Sequence, residues 1–287
     1  MIVRKLKIIL DMIKFEHTIF ALPFAIMSAF IAADGIPPWK TCGWILLAMV
    51  GARSCAMAFN RLVDAKIDGA NPRTAMRAIP AGLITAGSVW IFTIASAALL
   101  VFSAYKLNPL AFALSPLALG ISMGYSYTKR FTSLSHFWLG LSLSIAPIGA
   151  WIAVKGRFDW IPMLLGLSVL LWTAGFDIIY ACQDFEFDRK NRLHSIPARF
   201  GIRRALWLSS ALHLMTVAIL VGLAVLPNLG ALYLVGVGVV TLILIYEHAI
   251  VRPSDLSRVN LAFFTLNGMV SLVLSALSVA DLLIRPQ

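Results

Sequence analysis

The sequence has few charged residues and very few acidic ones. Only 13% of its 287 residues are charged, and Asp and Glu together number 13. A soluble domain usually carries about 25% charged residues, so this composition excludes an ordinary soluble protein. The mean hydropathy of +0.87 and the recurring runs of about twenty apolar residues predict an integral membrane protein built of spanning helices.

The sequence also shows no pairs of closely spaced cysteines and no pattern typical of a cleavable signal peptide. Cys42, Cys55 and Cys182 lie in or beside apolar runs and show no paired spacing, which is typical of small buried hydrophobic residues rather than of a disulfide framework. The first apolar run lacks a small-residue cleavage site behind a short apolar core. We therefore do not interpret it as a signal peptide.

The apolar runs predict an all-α fold in which no separate soluble domain is left over. The whole chain, residues 1–287, is expected to form a single membrane domain of about nine spanning helices. The predicted spans lie at about 16–33, 41–60, 86–104, 109–126, 137–154, 161–182, 205–226, 230–249 and 262–283.

Basic residues are concentrated on one side of the predicted bundle. The net charge is +11, and 18 of the 24 lysines and arginines fall on the side of the N-terminus, against five on the other side. Charge at the ends of apolar runs is typical of contacts with a lipid bilayer and not with nucleic acid. The positive-inside rule predicts a multi-pass protein of the cell's inner membrane with the N-terminus in the cytoplasm.

Two short stretches hold six of the 13 acidic residues, and both are predicted to lie on the cytoplasmic side. In the first, which runs from Arg53 to Asp68, an advance of about 100° per residue places the polar residues on one helical face. In the second, the acids follow at spacings of seven and four, which predicts a shared face as well. The polar residues of the two faces are Arg53, Asn60, Asp64 and Asp68, and then Asp177, Asp184 and Asp188.

Oxygen ligands without His or Cys favour a hard cation such as Mg²⁺, which prefers one or two carboxylates together with phosphate oxygens. The two stretches therefore predict a Mg²⁺ site that clamps a diphosphate, and a diphosphate inside a membrane bundle implies a lipid tail. The alternative is a set of ordinary helix-end charges, which two matching registers make the weaker interpretation. The predicted metal ligands are Asn60, Asp64, Asp68, Asp184 and Asp188. The basic residues near them are Arg61, Lys66, Arg73, Arg77, Lys129, Arg130, Arg189 and Lys190.

These motifs resemble the UbiA family of membrane aromatic prenyltransferases over most of the chain. Asn60, Asp64 and Asp68 match the first family motif, and the stretch from Asp177 to Asp188 matches the second. Further matches are Arg73, Thr74, Arg77 and Pro80, the run Tyr125-Ser-Tyr127-Thr-Lys129-Arg130-Phe-Thr132, and Ser195 and Gly201. The stretch from His194 to Gly201 resembles the subgroup that is 4-hydroxybenzoate polyprenyltransferase-like.

The resemblance implies nine helices around a central cavity and a Mg²⁺-dependent transfer of a polyprenyl group from its diphosphate to an aromatic acid acceptor. The implied catalytic residues are Asp64, Asp68, Asp177, Asp184 and Asp188. The implied substrate-binding residues are Arg53, Asn60, Arg73, Arg77, Tyr125, Tyr127, Lys129, Arg130, Tyr180 and Lys190. The favoured acceptor is 4-hydroxybenzoate, of ubiquinone biosynthesis, and the alternative is 1,4-dihydroxy-6-naphthoate, of menaquinone biosynthesis.

Several assignments stay open at this point. Arg61 stands where many family members have Asp, which removes one possible metal ligand. Arg53 is expected to bind the acceptor's carboxylate, with a structural ion pair to Asp177 as the alternative. The proton that the acceptor ring loses could be taken up by Asp177 or by Asp184. Tyr125, Tyr127 and Tyr180 either stabilise an allylic cation or belong to the belt of aromatic residues at the membrane interface.

Two other functions are weaker. A transporter would place its ionisable residues near the bilayer midplane, whereas most acids of this chain lie near one face. A CDP-alcohol phosphotransferase carries one compact Asp cluster, whereas this chain has two that are about 120 residues apart. Within the resembled family, synthases of the chlorophyll, haem O and tocopherol type differ chiefly in their acceptor.

Overall fold

The computed structural model describes residues 2–13, 15–225 and 229–284, and within these ranges the regular elements are helical. Lys14 and Arg285, which entered the charge count, and the predicted end of the seventh span at 226 lie outside the described residues. The α-helices are α1 (Ile2–Ile13), α2 (Leu22–Ala33), α3 (Trp39–Ala70), α4 (Ala86–Leu107), α5 (Pro109–Thr128), α6 (Ser135–Lys155), α7 (Trp160–Ala181), α8 (Phe185–Lys190), α9 (Ile196–Phe200), α10 (Ile202–Leu223), α11 (Ala231–Ile250) and α12 (Asn267–Ile284).

The all-α membrane architecture is confirmed, although the first predicted span differs from the others. Eight helices in the described ranges are long and apolar enough to cross a membrane. The stretch predicted at 16–33 is shorter, covers Thr18–Ala33 and is divided into a 3₁₀ helix, Phe15–Phe20, and α2. Pro23 lies in the first turn of α2, where a residue without a backbone N–H starts a helix readily but cannot continue one.

The helix that carries the second predicted span extends beyond residue 60, because α3 continues without a break to Ala70. Asn60, Asp64 and Asp68 therefore lie on one helix, as the spacing predicts. The second acidic stretch is less regular, since α7 ends at Ala181 and a 3₁₀ turn, Cys182–Asp184, precedes α8. This tighter turn changes the helical register, so Asp177 does not share one continuous α-helical face with Asp184 and Asp188.

Two close helix contacts bring the elements of the site together. A Cβ on Gly51 of α3 would overlap the backbone of α4 at Ser96 and Leu100, and a Cβ on Gly140 of α6 would overlap the carbonyl oxygen of Leu170 in α7. Glycine is the residue that permits such an approach of two backbones. The main core lies deeper, around Trp172 and Phe176, and is built from α2, α7, α10, α11 and α12.

We expect Gly140→Ala to destabilise the fold by about 1–3 kcal/mol, because the new methyl group must push α6 and α7 apart. Gly149→Ala is the matched control on the same helix, since a Cβ there meets no atom within 4 Å. The measurement is the free energy of unfolding in detergent micelles. Equal stability of the two variants would contradict the close α6–α7 contact.

Candidate active site

A cavity of about 780 Å³ lies at one end of the bundle and is lined by residues of both acidic stretches. Twelve of the fifteen residues predicted for the site line it. They are Arg53, Asn60, Asp64, Asp68, Arg73, Arg77, Tyr125, Lys129, Asp177, Tyr180, Asp184 and Asp188. Residues far apart in the sequence therefore meet around one space.

Three predicted residues lie outside the cavity lining. Arg130 donates from Nη2 to Asp64 Oδ1 at 3.0 Å and so acts on the site through a lining residue. Tyr127 is 46% exposed and packs against Phe59. It is two residues from Tyr125, and about 200° around a helix places the two rings on different faces. Lys190 is exposed at the end of α8.

The Asp64 carboxylate is held by cations from a different part of the chain. Lys129 Nζ lies 2.5 Å from Asp64 Oδ2, and Asn60 Nδ2 donates to the same oxygen at 3.1 Å. Arg130 occupies the other oxygen. Because the Asp64 side chain is only 3% exposed, these contacts replace the water that its charge would otherwise require.

Asp68, one turn further along α3, is less completely satisfied. Arg77 Nη1 donates to Asp68 Oδ1 at 2.7 Å, whereas Asp68 Oδ2 is buried and accepts no hydrogen bond within the described chain. Arg61 Nη1 faces that oxygen at 3.8 Å, and Arg61 Nε donates to the Met12 carbonyl at 3.2 Å. Arg61, the arginine that departs from the family motif, thus lies beside Asp68 and links it to the backbone of α1.

The second acidic stretch forms another wall of the cavity, and there the guanidinium of Arg73 binds both carboxylate oxygens of Asp184. Nε donates to Asp184 Oδ1 at 2.9 Å, Nη2 lies 2.5 Å from Asp184 Oδ2, and Nη1 donates to the Tyr180 hydroxyl at 2.9 Å. Burial lowers the pKa of Arg73, but the contacts with Asp184 and Tyr180 outweigh burial and leave that pKa above its ordinary value. Asn71 Nδ2 also donates to Asp184 Oδ1, so the segment 71–85 is fastened across the cavity.

The partner of Asp177 is His136, which was not among the predicted site residues. His136 Nδ1 and Asp177 Oδ2 are 2.7 Å apart, and both residues line the cavity. The backbone N–H of Ile196 donates to His136 Nε2 at 3.3 Å. No local pattern in the sequence joins these residues, because they come from α6, α7 and α9.

An aromatic wall also lines the cavity and could not be predicted from the acidic motifs. Phe263 stacks on Tyr180 with ring centroids 4.2 Å apart and contacts Phe176 and Phe20. Phe263 belongs to a π-helical turn, Leu261–Leu266, directly before α12. Such turns place side chains where a regular helix would not.

One buried amide fixes this π-helical turn. Asn267 Nδ2 donates to the Ala262 carbonyl and to Glu247 Oε1, each at 2.9 Å. Trp172 Nε1 donates to Asn267 Oδ1 at 2.6 Å. The side chain of Asn267 thereby connects α7, α11 and α12 beneath the aromatic wall.

A second cavity of about 440 Å³ adjoins the first. Small and aliphatic side chains of α3, α4, α5 and α6 dominate its lining, among them Ala48, Ala52 and Ala56. The two cavities share Arg53, Asn60 and Tyr125. A molecule with a charged head and a hydrocarbon tail could therefore place one part in each.

The oxygen chemistry of the polar cavity fits Mg²⁺, although the protein does not supply a complete ligand shell. Among the described residues, no group of three His, Cys, Asp or Glu side chains is placed to hold a metal ion. The donors lie on two walls, and the buried Asp68 Oδ2 accepts no hydrogen bond there. Mg²⁺ typically takes few protein carboxylates and completes its shell with water and phosphate oxygens.

The family model of the UbiA prenyltransferase family matches residues 21–269 of this chain. The chain belongs to the UbiA prenyltransferase family. The resemblance inferred from the two acidic stretches is thus confirmed, together with the membrane fold and a prenyltransferase type of enzyme.

Curated relatives match over most of their length. A 4-hydroxybenzoate octaprenyltransferase of Vibrio parahaemolyticus is 32% identical over 84% of this chain and 85% of its own. A protein of the same name from Vibrio campbellii is 31% identical, over 85% of each chain.

Solved structures share the fold. The apo structure of a UbiA homologue from Aeropyrum pernix superposes with a TM-score of 0.85 at 35% identity and covers 93% of this chain and 98% of its own. A UbiA homologue from Archaeoglobus fulgidus, bound to DMAPP and Mg²⁺, gives a TM-score of 0.72 at 22% identity and covers 96% of this chain and 98% of its own. The second likeness shows the fold alone.

We expect Arg73→Ala to speed backbone hydrogen exchange in residues 71–85, because the segment loses its double contact with Asp184 and its contact with Tyr180. Arg73 is about one-third exposed, so after solvent screening the loss is on the order of 1 kcal/mol, or several-fold in exchange rate. Lys66→Ala, at an exposed basic position of α3, is the control. Unchanged exchange in the Arg73 variant would show that other contacts hold the segment.

Proposed function

We propose that this protein transfers a polyprenyl group from polyprenyl diphosphate to a ring carbon of 4-hydroxybenzoate, as a step of ubiquinone biosynthesis. The observation that carries the proposal is the junction of the two cavities, where a polar space with two carboxylate walls meets an apolar space. The relatives named 4-hydroxybenzoate octaprenyltransferase support the choice of acceptor.

The polar cavity suits the diphosphate. Asn60, Asp64 and Asp68 on one wall and Asp184 and Asp188 on the other would hold Mg²⁺, which when bound neutralises charge on the departing diphosphate. The cations that now pair with the carboxylates would turn to phosphate oxygens. They are Arg73, Arg77 and Lys129, with Arg130 close behind.

The apolar cavity suits the hydrocarbon chain, because most of its lining residues are aliphatic. Arg53 lies at the junction of the two spaces and lines both. Its planar guanidinium would bind the carboxylate of the acceptor through two hydrogen bonds. An acceptor bound in this way would have its ring near the carbon that loses the diphosphate.

The proposed prenyl transfer breaks one bond of the polyprenyl diphosphate and forms one bond to the acceptor ring. The carbon–oxygen bond to the diphosphate breaks with its electron pair going to oxygen, and the ring carbon forms the new bond to the prenyl carbon. Tyr125 and Tyr180 line the cavity and can stabilise the allylic cation through their ring faces. Asp177 is the better placed proton acceptor, because Asp184 is one of the residues that would hold Mg²⁺, whereas Asp177 lines the same cavity and pairs with His136.

The cell's inner membrane is the proposed location, with the polar cavity on the cytoplasmic side. The charge asymmetry supports this orientation, since the basic residues concentrate in the connections that surround the cavity. A cytoplasmic opening would admit a water-soluble aromatic acid while the prenyl chain enters from the lipid phase.

The first test uses membranes that contain the protein, a polyprenyl diphosphate, Mg²⁺ and one acceptor at a time, with the product identified by mass. We expect prenylated 4-hydroxybenzoate, and we expect EDTA to abolish its formation. A product with 1,4-dihydroxy-6-naphthoate only would keep the reaction and assign it to menaquinone biosynthesis. A reaction that EDTA leaves intact would contradict the metal requirement.

We expect Asp64→Asn and Asp184→Asn to lower kcat by about 10²–10³, because each removes a carboxylate that would hold Mg²⁺, the ion that neutralises charge on the departing diphosphate. Glu186→Gln is the matched control, since Glu186 belongs to the same acidic stretch but is exposed and lies outside the cavity lining. The readout is the initial rate at saturating substrates. Full activity of either aspartate variant would remove that residue from the proposed site.

A further inference from the structure

We propose that His136 is the positioning residue for Asp177, and that the pair removes the ring proton in the last step of the prenyl transfer. The inference rests on the proposed function and adds a residue that neither the motifs nor the family resemblance supplied. The cavity, the helix packing and the hydrogen bonds of the pair carry it.

The pair is rigidly placed. The side chains of His136 and Asp177 are 4% and 14% exposed, and both line the polar cavity. Gly140, one turn after His136 on α6, permits the close approach of α6 to α7, the helix that carries Asp177. The backbone of the site therefore fixes the distance between the two side chains.

The hydrogen bonds determine which nitrogen of His136 carries the proton. Nε2 accepts from the backbone N–H of Ile196, so its lone pair is engaged and the hydrogen of the neutral ring lies on Nδ1. Nδ1–H then donates to Asp177 Oδ2. This hydrogen bond fixes the plane of the Asp177 carboxyl group, as the third member of a catalytic arrangement does for the second.

Only one oxygen of Asp177 is used in this way. Within the described part of the chain, the hydrogen bond of the Asp177 carboxyl group is the one from His136 to Oδ2. Oδ1 is therefore available to accept a proton. Asp64 and Asp184, by contrast, have both oxygens engaged by lysine or arginine, and in the proposed reaction they would hold Mg²⁺ instead. Among these three acids, Asp177 is therefore the one with a free basic oxygen at the cavity wall.

The step balances without another reactant. After the prenyl carbon has joined the ring carbon, that carbon still carries its hydrogen. Asp177 Oδ1 takes the proton, and the electron pair of the carbon–hydrogen bond restores the aromatic ring. His136 keeps its own proton on Nδ1 throughout and holds the neutral carboxyl group in place.

A kinetic isotope effect tests this role. The acceptor that the wild-type protein turns over is deuterated at the ring carbon that becomes prenylated, and kcat is compared with that for the unlabelled acceptor. In the wild type, we expect equal rates, which is the result when proton removal is faster than the steps that precede it. His136→Leu should lower kcat by about 100-fold and make the deuterated acceptor clearly slower, because proton removal then limits the rate.

His136→Gln tests the hydrogen bond itself, since its side-chain amide can donate to Asp177. We expect most of kcat to return and the isotope effect to disappear. His213→Leu is the control for the loss of a buried histidine, because His213 is 2% exposed and lies outside the cavity lining. Any loss of kcat in this control should come without an isotope effect.

Three results would contradict the proposed role of His136. Slow turnover of His136→Leu without an isotope effect would overturn the proposal and leave His136 a structural contact, as would a His136→Gln variant as slow as His136→Leu. Misfolding is detected separately through the affinity for the prenyl diphosphate, which His136→Gln should retain. A wild-type protein that prenylates no acceptor would instead contradict the proposed function, and the role of His136 would fall with it.

Discussion

The pairing of buried carboxylates with cations from other parts of the chain is the constraint on which the site depends. An isolated charge in an apolar bundle is costly, so each carboxylate needs a partner. Asp64 receives Lys129 and Arg130, and Asp184 receives Arg73. Because the partners lie on different segments, the same contacts that compensate the charges also fasten the segments around the cavity.

This arrangement suits the proposed binding of a diphosphate together with a divalent metal. The carboxylates can exchange a protein cation for the metal, and the released cations can turn to phosphate oxygens. Charge is then compensated before and after binding, so the polar cavity need not be filled by water in one of the two states. The segment 71–85, which carries Arg73, is the element whose position such an exchange affects most.

The sequence predicted the fold class and the residues whose spacing lies within one helix. Asn60, Asp64 and Asp68 follow from periodicity, and α3 does continue through them. The prediction for Tyr127 rests on its nearness to the charged residues, whereas about 200° around the helix separate it from Tyr125 and it lies outside the cavity lining. His136 and the aromatic wall were missed because they depend on contacts between helices and on a π-helical turn, which local spacing does not encode.

The buried side-chain amide of Asn267 links the aromatic wall of the cavity to the core of the bundle. It fixes the turn that carries Phe263 by bonds to Trp172 and Glu247, all of them in the core of the bundle and apart from the carboxylate walls. Substitutions in this core would reach the cavity through Phe263 and the Tyr180 ring on which it stacks. Selection could therefore reshape the aromatic wall of the cavity through residues that do not line it.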